Sequence, residues 1–185
     1  MSNRAKAIPI TILCTFFIIL SGCSQENKTI TEDDEKIIMN AKEIVENKYL
    51  TDLIAQLENT ELTEEKDINK IPMVVSNFLN ALLEDKPIAN PNENWIPTDV
   101  ILDKKLPRRK LQYFGSGKNI ALMNYFKGGI GKSTIILIFE FNDKKVTKFW
   151  CGSVLVDLNN KDTTLKYLKE NINKEWGLNT NILSY

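Results

Sequence analysis

From about residue 98 the chain changes its period to two. "TDVIL", "RKLQYF", "NIALMNYF", "STIILIFEF" and "KVTKFWCGSVLV" are rich in β-branched and aromatic residues, and "GSGK", "KGGIGK" and "NDKK" separate the last four. β-branched and aromatic side chains suit a pleated, half-buried surface, and Gly-, Asn- and Asp-rich breaks supply turns. Turns this short send each strand back beside its predecessor, so the stretch over about 98–156 closes as an antiparallel meander. The run from Thr134 to Phe141 is apolar on nearly both faces, which predicts a strand at the centre of a covered sheet.

Upstream the period is helical. Thr31 followed by Asp34 fits a capping box, and Ile37, Ile38, Ala41, Ile44, Val45 and Tyr49 recur at helical spacing. "TDLIAQLEN" predicts a second, shorter helix, and the polar residues 59–70 a loop. Pro72 opens a stronger helix with Val74, Val75, Phe78, Leu79, Leu82 and Leu83 on one stripe. Residues 86–97, "KPIANPNENWIP", carry three prolines and three asparagines and are irregular. A closing helix over about 163–176 begins after Asp162 as its cap. No internal repeat interrupts this order. The expected class is α+β: N-terminal helices (about 31–85) packed on an antiparallel β-meander with a C-terminal helix, the helices covering one sheet face.

The start of the chain carries a different message. Arg4 and Lys6 precede a run from Ala7 to Leu20 that is apolar except for two threonines and one proline. As a helix it would reach roughly 21 Å, short of a ~30 Å hydrocarbon core. A positive leader, a short apolar core and a small-residue exit form a secretory signal. The exit, Leu20-Ser21-Gly22-Cys23, resembles the lipobox of bacterial lipoproteins. That resemblance implies cleavage after Gly22 and a diacylglyceryl group on the Cys23 sulfur. It implies a signal peptide at 1–22, a tether at 23–30 and an extracytoplasmic domain at 31–185 held to the cell membrane by its lipid.

Residues 127–134, KGGIGKST, resemble the deviant phosphate loop of the nitrogenase iron protein and chromosome-partitioning ATPase family. The resemblance would give Lys127 a reach across a dimer, Lys132 the β and γ phosphates, and Ser133 a magnesium ion. The ordinary form fails, because Phe126 stands where its first glycine belongs. A phosphate loop must open a helix, whose N–H groups converge on the anion. Here Ile135-Ile136-Leu137-Ile138-Phe139 follows, a strand former. Too little chain remains after Thr134 for a doubly wound domain, and an exported domain meets little ATP. Three glycines between two strands read as a hairpin needing positive φ, so no nucleotide is expected.

Histidine is absent from the whole chain. Ser-His-Asp and Cys-His nucleophile systems therefore cannot be built, nor can zinc sites with imidazole ligands. Of three cysteines, Cys14 leaves with the leader and Cys23 takes lipid, so Cys151 stands alone in an apolar strand as a buried, inert thiol. No cofactor or metal is expected. A formal net charge of +0, falling by two with loss of Arg4 and Lys6, offers no ground for nucleic acid as a partner.

Lys104, Lys105, Arg108, Arg109 and Lys110 form a basic cluster that could meet anionic headgroups or a polyanion, or line a solvated loop. Trp95 is either an exposed recognition residue or a cap on the core's end, and Trp150 belongs in the core. Glu140 is the acid to examine for catalysis, or a residue facing water beside the "ND" turn. Ser116 has neither base nor elbow context. The functional expectation is a non-enzymatic, membrane-anchored module that binds a protein or envelope polymer at the cell surface, in an immunity or exclusion setting. The alternative is a carboxylate-dependent enzyme of wall glycans using Glu140.

Overall fold

The computed structural model describes residues 29–32, 35–38, 46–84, 87–100 and 103–173. Thr29–Glu32 (β1) and Glu35–Ile38 (β2) form a two-stranded antiparallel hairpin. Helices follow at Leu50–Glu58 (α1) and Met73–Leu83 (α2), with a two-residue strand Thr63–Glu64 (β3) and a 3-10 turn Ile68–Lys70 between them. The meander is Arg109–Ser116 (β4), Ile120–Lys127 (β5), Ser133–Phe141 (β6) and Val146–Val154 (β7), closed by helix Lys161–Asn171 (α3). The five-stranded sheet runs β3-β4-β5-β6-β7 and is antiparallel throughout. The chain is therefore α+β.

Helices cover both faces of this sheet, where one covered face was expected. Asn124, Ile136 and Gly152 are cross-strand partners, so they share a face. Asn124 donates from Nδ2 to Thr164 of α3 at 2.7 Å, which sets α3 on that face. Trp150, partnered with Ile138, lies on the same face and donates to Asn47 just before α1 at 3.0 Å. Phe139 points the other way, and there Phe78 of α2 meets it edge-on at 5.8 Å and Phe149 at 4.9 Å. Ile135 through Phe139 are all buried; a strand apolar on both sides loses its hydration penalty only when both sides are covered.

The pattern at the start of the domain misleads. Instead of a helix from Thr31, β-branched residues oppose each other in the pairs Thr29↔Ile38 and Ile30↔Ile37, as strand propensity favours. Residues 39–45, with Ala41, Ile44 and Val45, lie outside the described residues. Asn47 takes the left-handed conformation at φ 54, which Asn tolerates better than most residues, and α1 begins only at Leu50. Three further boundaries differ. The 59–70 loop contributes the edge strand β3, which pairs Thr63 and Glu64 with Ser116 and Gly115. "TDVIL" yields an isolated bridge, Thr98 to Gly129, among its described residues. The cap of α3 is Asn160, whose Oδ1 accepts from Thr163 N at 2.8 Å, so the helix starts before Asp162 is passed.

Candidate functional site

KGGIGKST joins β5 to β6, and Ser133 is already in the ladder opposite Lys127. A strand where a phosphate loop needs a helix spends its N–H groups on the sheet. None of the loop's glycines has positive φ, contrary to the hairpin reading. Gly128 is required instead by close approach: a Cβ there would sit 2.2 Å from the Ile96 carbonyl oxygen, while Gly131 faces open space. Lys132 bonds Asp157 at 2.9 Å and lies 4.2 Å above the Phe126 ring, which stacks on Trp95 at 5.8 Å and 17°. Trp95 is thus half-buried against a ring that is itself half-buried. The expected result of Lys132→Ala is unmeasurable ATP affinity before and after, checked by titration calorimetry. Micromolar binding that the substitution abolishes would restore the nucleotide reading.

The basic cluster divides. Arg109 is 5% exposed because it shares a face with buried Leu111, and among the described residues its Nε has no hydrogen-bond partner. Lys104, Lys105 and Arg108 remain exposed and Lys110 half-buried. Arg108 donates to the carbonyls of Thr98 and Gly128 at 3.5 and 3.4 Å, and Gly128 N–H returns a bond to Arg108 at 2.8 Å. This ties the 103–108 segment to the β5–β6 loop. Four aliphatic side chains missed by sequence reasoning stand out at the same end of the sheet. Ile130 is 99% exposed, Leu155 85%, Val100 61% and Val156 42%. The available signal was Ile130 between two glycines; Leu155 and Val156 lay in the expected strand, which stops at Val154.

Glu140 faces Lys148 across β6 and β7. Its Oε2 accepts from Lys148 Nζ at 2.9 Å and its Oε1 from Thr147 at 3.1 Å, so both oxygens are engaged. Hydrogen bonding to Glu140 raises the Lys148 ammonium above its ordinary range. Ser116 ends β4 opposite Ala121. Among the described residues no group of three His, Cys, Asp or Glu side chains could hold a metal ion.

Cys151 is buried, and desolvation pushes its thiol up to about 12; burial also pushes the Tyr125 phenol up to about 12. Both groups stay protonated in the folded chain after their unfolded counterparts have ionised at ~8.5 and ~10. Their stabilising contribution is complete below ~8.5 and is lost as pH rises toward 12. Urea midpoints should therefore fall between pH 8.5 and 11, each group that ionises only in the unfolded chain removing roughly 1.4 kcal/mol of stability per pH unit. Cys151→Ala should remove the early part of that fall; an unchanged pH profile in the variant would refute the assignment.

A cleft of about 380 Å³ opens beside the short edge strand, with Glu64, Asn90, Asn92, Gln112, Tyr113 and Asn159 among its walls. Asn90 is held rigid: its Oδ1 accepts from Ile68 N at 2.8 Å and its backbone N–H donates to Glu93 at 2.7 Å. Burial, then the charge of Glu64, raises the Tyr113 phenol above its usual value, keeping a neutral hydroxyl there. Neighbouring Glu65 turns its Oε1 to the N–H groups of Lys66 and Asp67 at 2.8 and 3.0 Å.

Cys23, the lipobox and residues 1–22 lie outside the described residues, as does Trp176. Among the described residues no helix is long and apolar enough to cross a membrane. Comparison with family models, curated proteins and solved structures gives no match.

Proposed function

We propose that this chain is a bacterial lipoprotein, cleaved before Cys23, lipidated on that sulfur and held on the extracytoplasmic face of the cell membrane. Its α+β domain acts as a non-enzymatic binding module for a protein or envelope polymer, in an immunity or exclusion setting. The anchor rests on Leu20-Ser21-Gly22-Cys23. The binding role rests on the cleft beside β3, whose amides and neutral phenol supply donors and acceptors together. Hydroxyl- and amide-bearing polymers need that mixture. The glycan-enzyme alternative loses support from Glu140, whose carboxylate is bound on both oxygens by neighbours on β7.

Incubation of the purified lipoprotein with cell-wall sacculi tests this reading. Co-sedimentation is expected, weakened about tenfold by Asn92→Ala with Asn159→Ala, since two lost hydrogen bonds amount to ~1–2 kcal/mol. Release of reducing ends that Glu140→Gln abolishes would make the protein an enzyme instead. Sedimentation unaffected by the double substitution would remove the cleft from the reading.

A further inference from the structure

The four exposed aliphatic residues belong to three separate segments that the fold gathers. Ile130 tips the β5–β6 loop. Leu155 and Val156 leave β7 immediately after Val154, which pairs with Thr134 at the foot of that loop. Val100 lies two residues from Thr98, which bridges to Gly129. Arg108 is bonded to Gly128 of the same loop, and the exposed Lys104 and Lys105 precede it in the 103–108 segment. The acids nearby are Asp99, Asp103 and Asp157. Asp157 is held by Lys132 at 2.9 Å, and Asp103 caps its own turn by accepting from Lys105 N at 2.9 Å. Neither Lys104 nor Lys105 forms an ion pair among the described residues.

We infer that this end of the sheet docks on the anionic surface of the membrane bearing the anchor, with Ile130 and Leu155 in the interfacial layer and Lys104, Lys105 and Arg108 against headgroup phosphates. The inference rests on the lipid-anchor reading and names a second contact of that anchored domain. Ile130 and Leu155 protrude almost fully exposed. A deformable lipid interface accommodates such tips, whereas a protein partner would need a pocket for each. Basic side chains gain directly from the negative surface potential. The anchor makes this contact intramolecular, so three or four weak interactions suffice to populate it.

The mature lipoprotein is reconstituted into vesicles of phosphatidylcholine, alone or with phosphatidylglycerol. An environment-sensitive fluorophore is attached at Ile130→Cys or, as a control in the β6–β7 turn, at Asp143→Cys. Quenching by spin-labelled lipid should be about threefold stronger at 130 than at 143 in anionic vesicles, and should vanish with added salt or with Lys104→Glu plus Lys105→Glu. Equal quenching at the two positions, in protein that still floats with the vesicles, overturns the docking while leaving the anchor intact. Failure to float overturns the anchor itself. Shielding of position 130 in cells but not in vesicles would assign the patch to a protein and overturn the lipid inference.

Discussion

Trp150→Ala should destabilise the domain by about 3–5 kcal/mol, the range for removing a large buried aromatic side chain. The indole is 1% exposed on the face shared by α1 and α3, and it folds back over Gly152, where a Cβ would stand 2.4 Å from its ring. The substitution empties that space and also leaves the Asn47 Oδ1 without the Nε1 donor. For a domain of this size the melting temperature should drop by about 6–20 °C, at ~2–4 °C per kcal/mol. Trp150→Phe separates the two effects: it keeps most of the packing and loses the hydrogen bond, costing about 1–2 kcal/mol. Urea unfolding of the three proteins measures both. A Trp150→Ala cost under about 1 kcal/mol would mean that the side chain is not buried against α1.

The second large effect is all-or-none. Cells fed labelled palmitate should label the wild-type protein and leave Cys23→Ala unlabelled, with the variant retaining its leader. The thiol is the only atom in the lipobox that can carry the thioether, so no neighbouring residue substitutes for it. Two acyl chains contribute ~0.8 kcal/mol per buried methylene, far beyond what the surface contacts of a small domain supply. Unchanged labelling in the variant would refute the lipoprotein reading outright. Lost labelling with retained membrane association would mean that the uncleaved leader or the domain itself holds the variant there.

Much of the meander was legible because its signal is local. Alternation in "RKLQYF" and the short breaks at "GSGK" and "NDKK" depend on residues a few positions apart, and β4 to β7 fall where those patterns lie. Pro72 and the stripe from Val74 to Leu83 likewise announced α2, in which all of the stripe but Val74 is buried. The first helix failed because two templates compete over Thr29–Ile38. A capping-box spacing and β-branched pairs coexist there, and pairing decides between them. The two-residue strand β3 carried no periodic signal at all; it exists because Gly115 and Ser116 offer an edge to it.

Asn124 shows the same division within one residue. In "NIALMNYF" it is a polar interruption of an apolar strand, but it is wholly buried and donates to the Leu158 carbonyl at 2.8 Å and to Thr164. A buried amide is costly unless bonded, so it pins the 155–160 segment and the start of α3 to the sheet centre. Its bond partners lie 34 and 40 residues away. Arg109 reverses the lesson: a basic run implied solvent, and strand alternation drew one member inside.

By itself the sequence determined the class of fold, the exclusion of histidine-dependent chemistry and the expectation of an anchor at Cys23. Each follows from residue identity or from spacing within one segment, which tertiary packing cannot alter. Only the tertiary structure decided that both sheet faces are covered, that Lys132 is engaged by Asp157, and that Val100, Ile130 and Leu155 meet at one end. Those outcomes are set by pairing register and by contacts between distant segments. Their free energy is realised only when the whole sheet has closed.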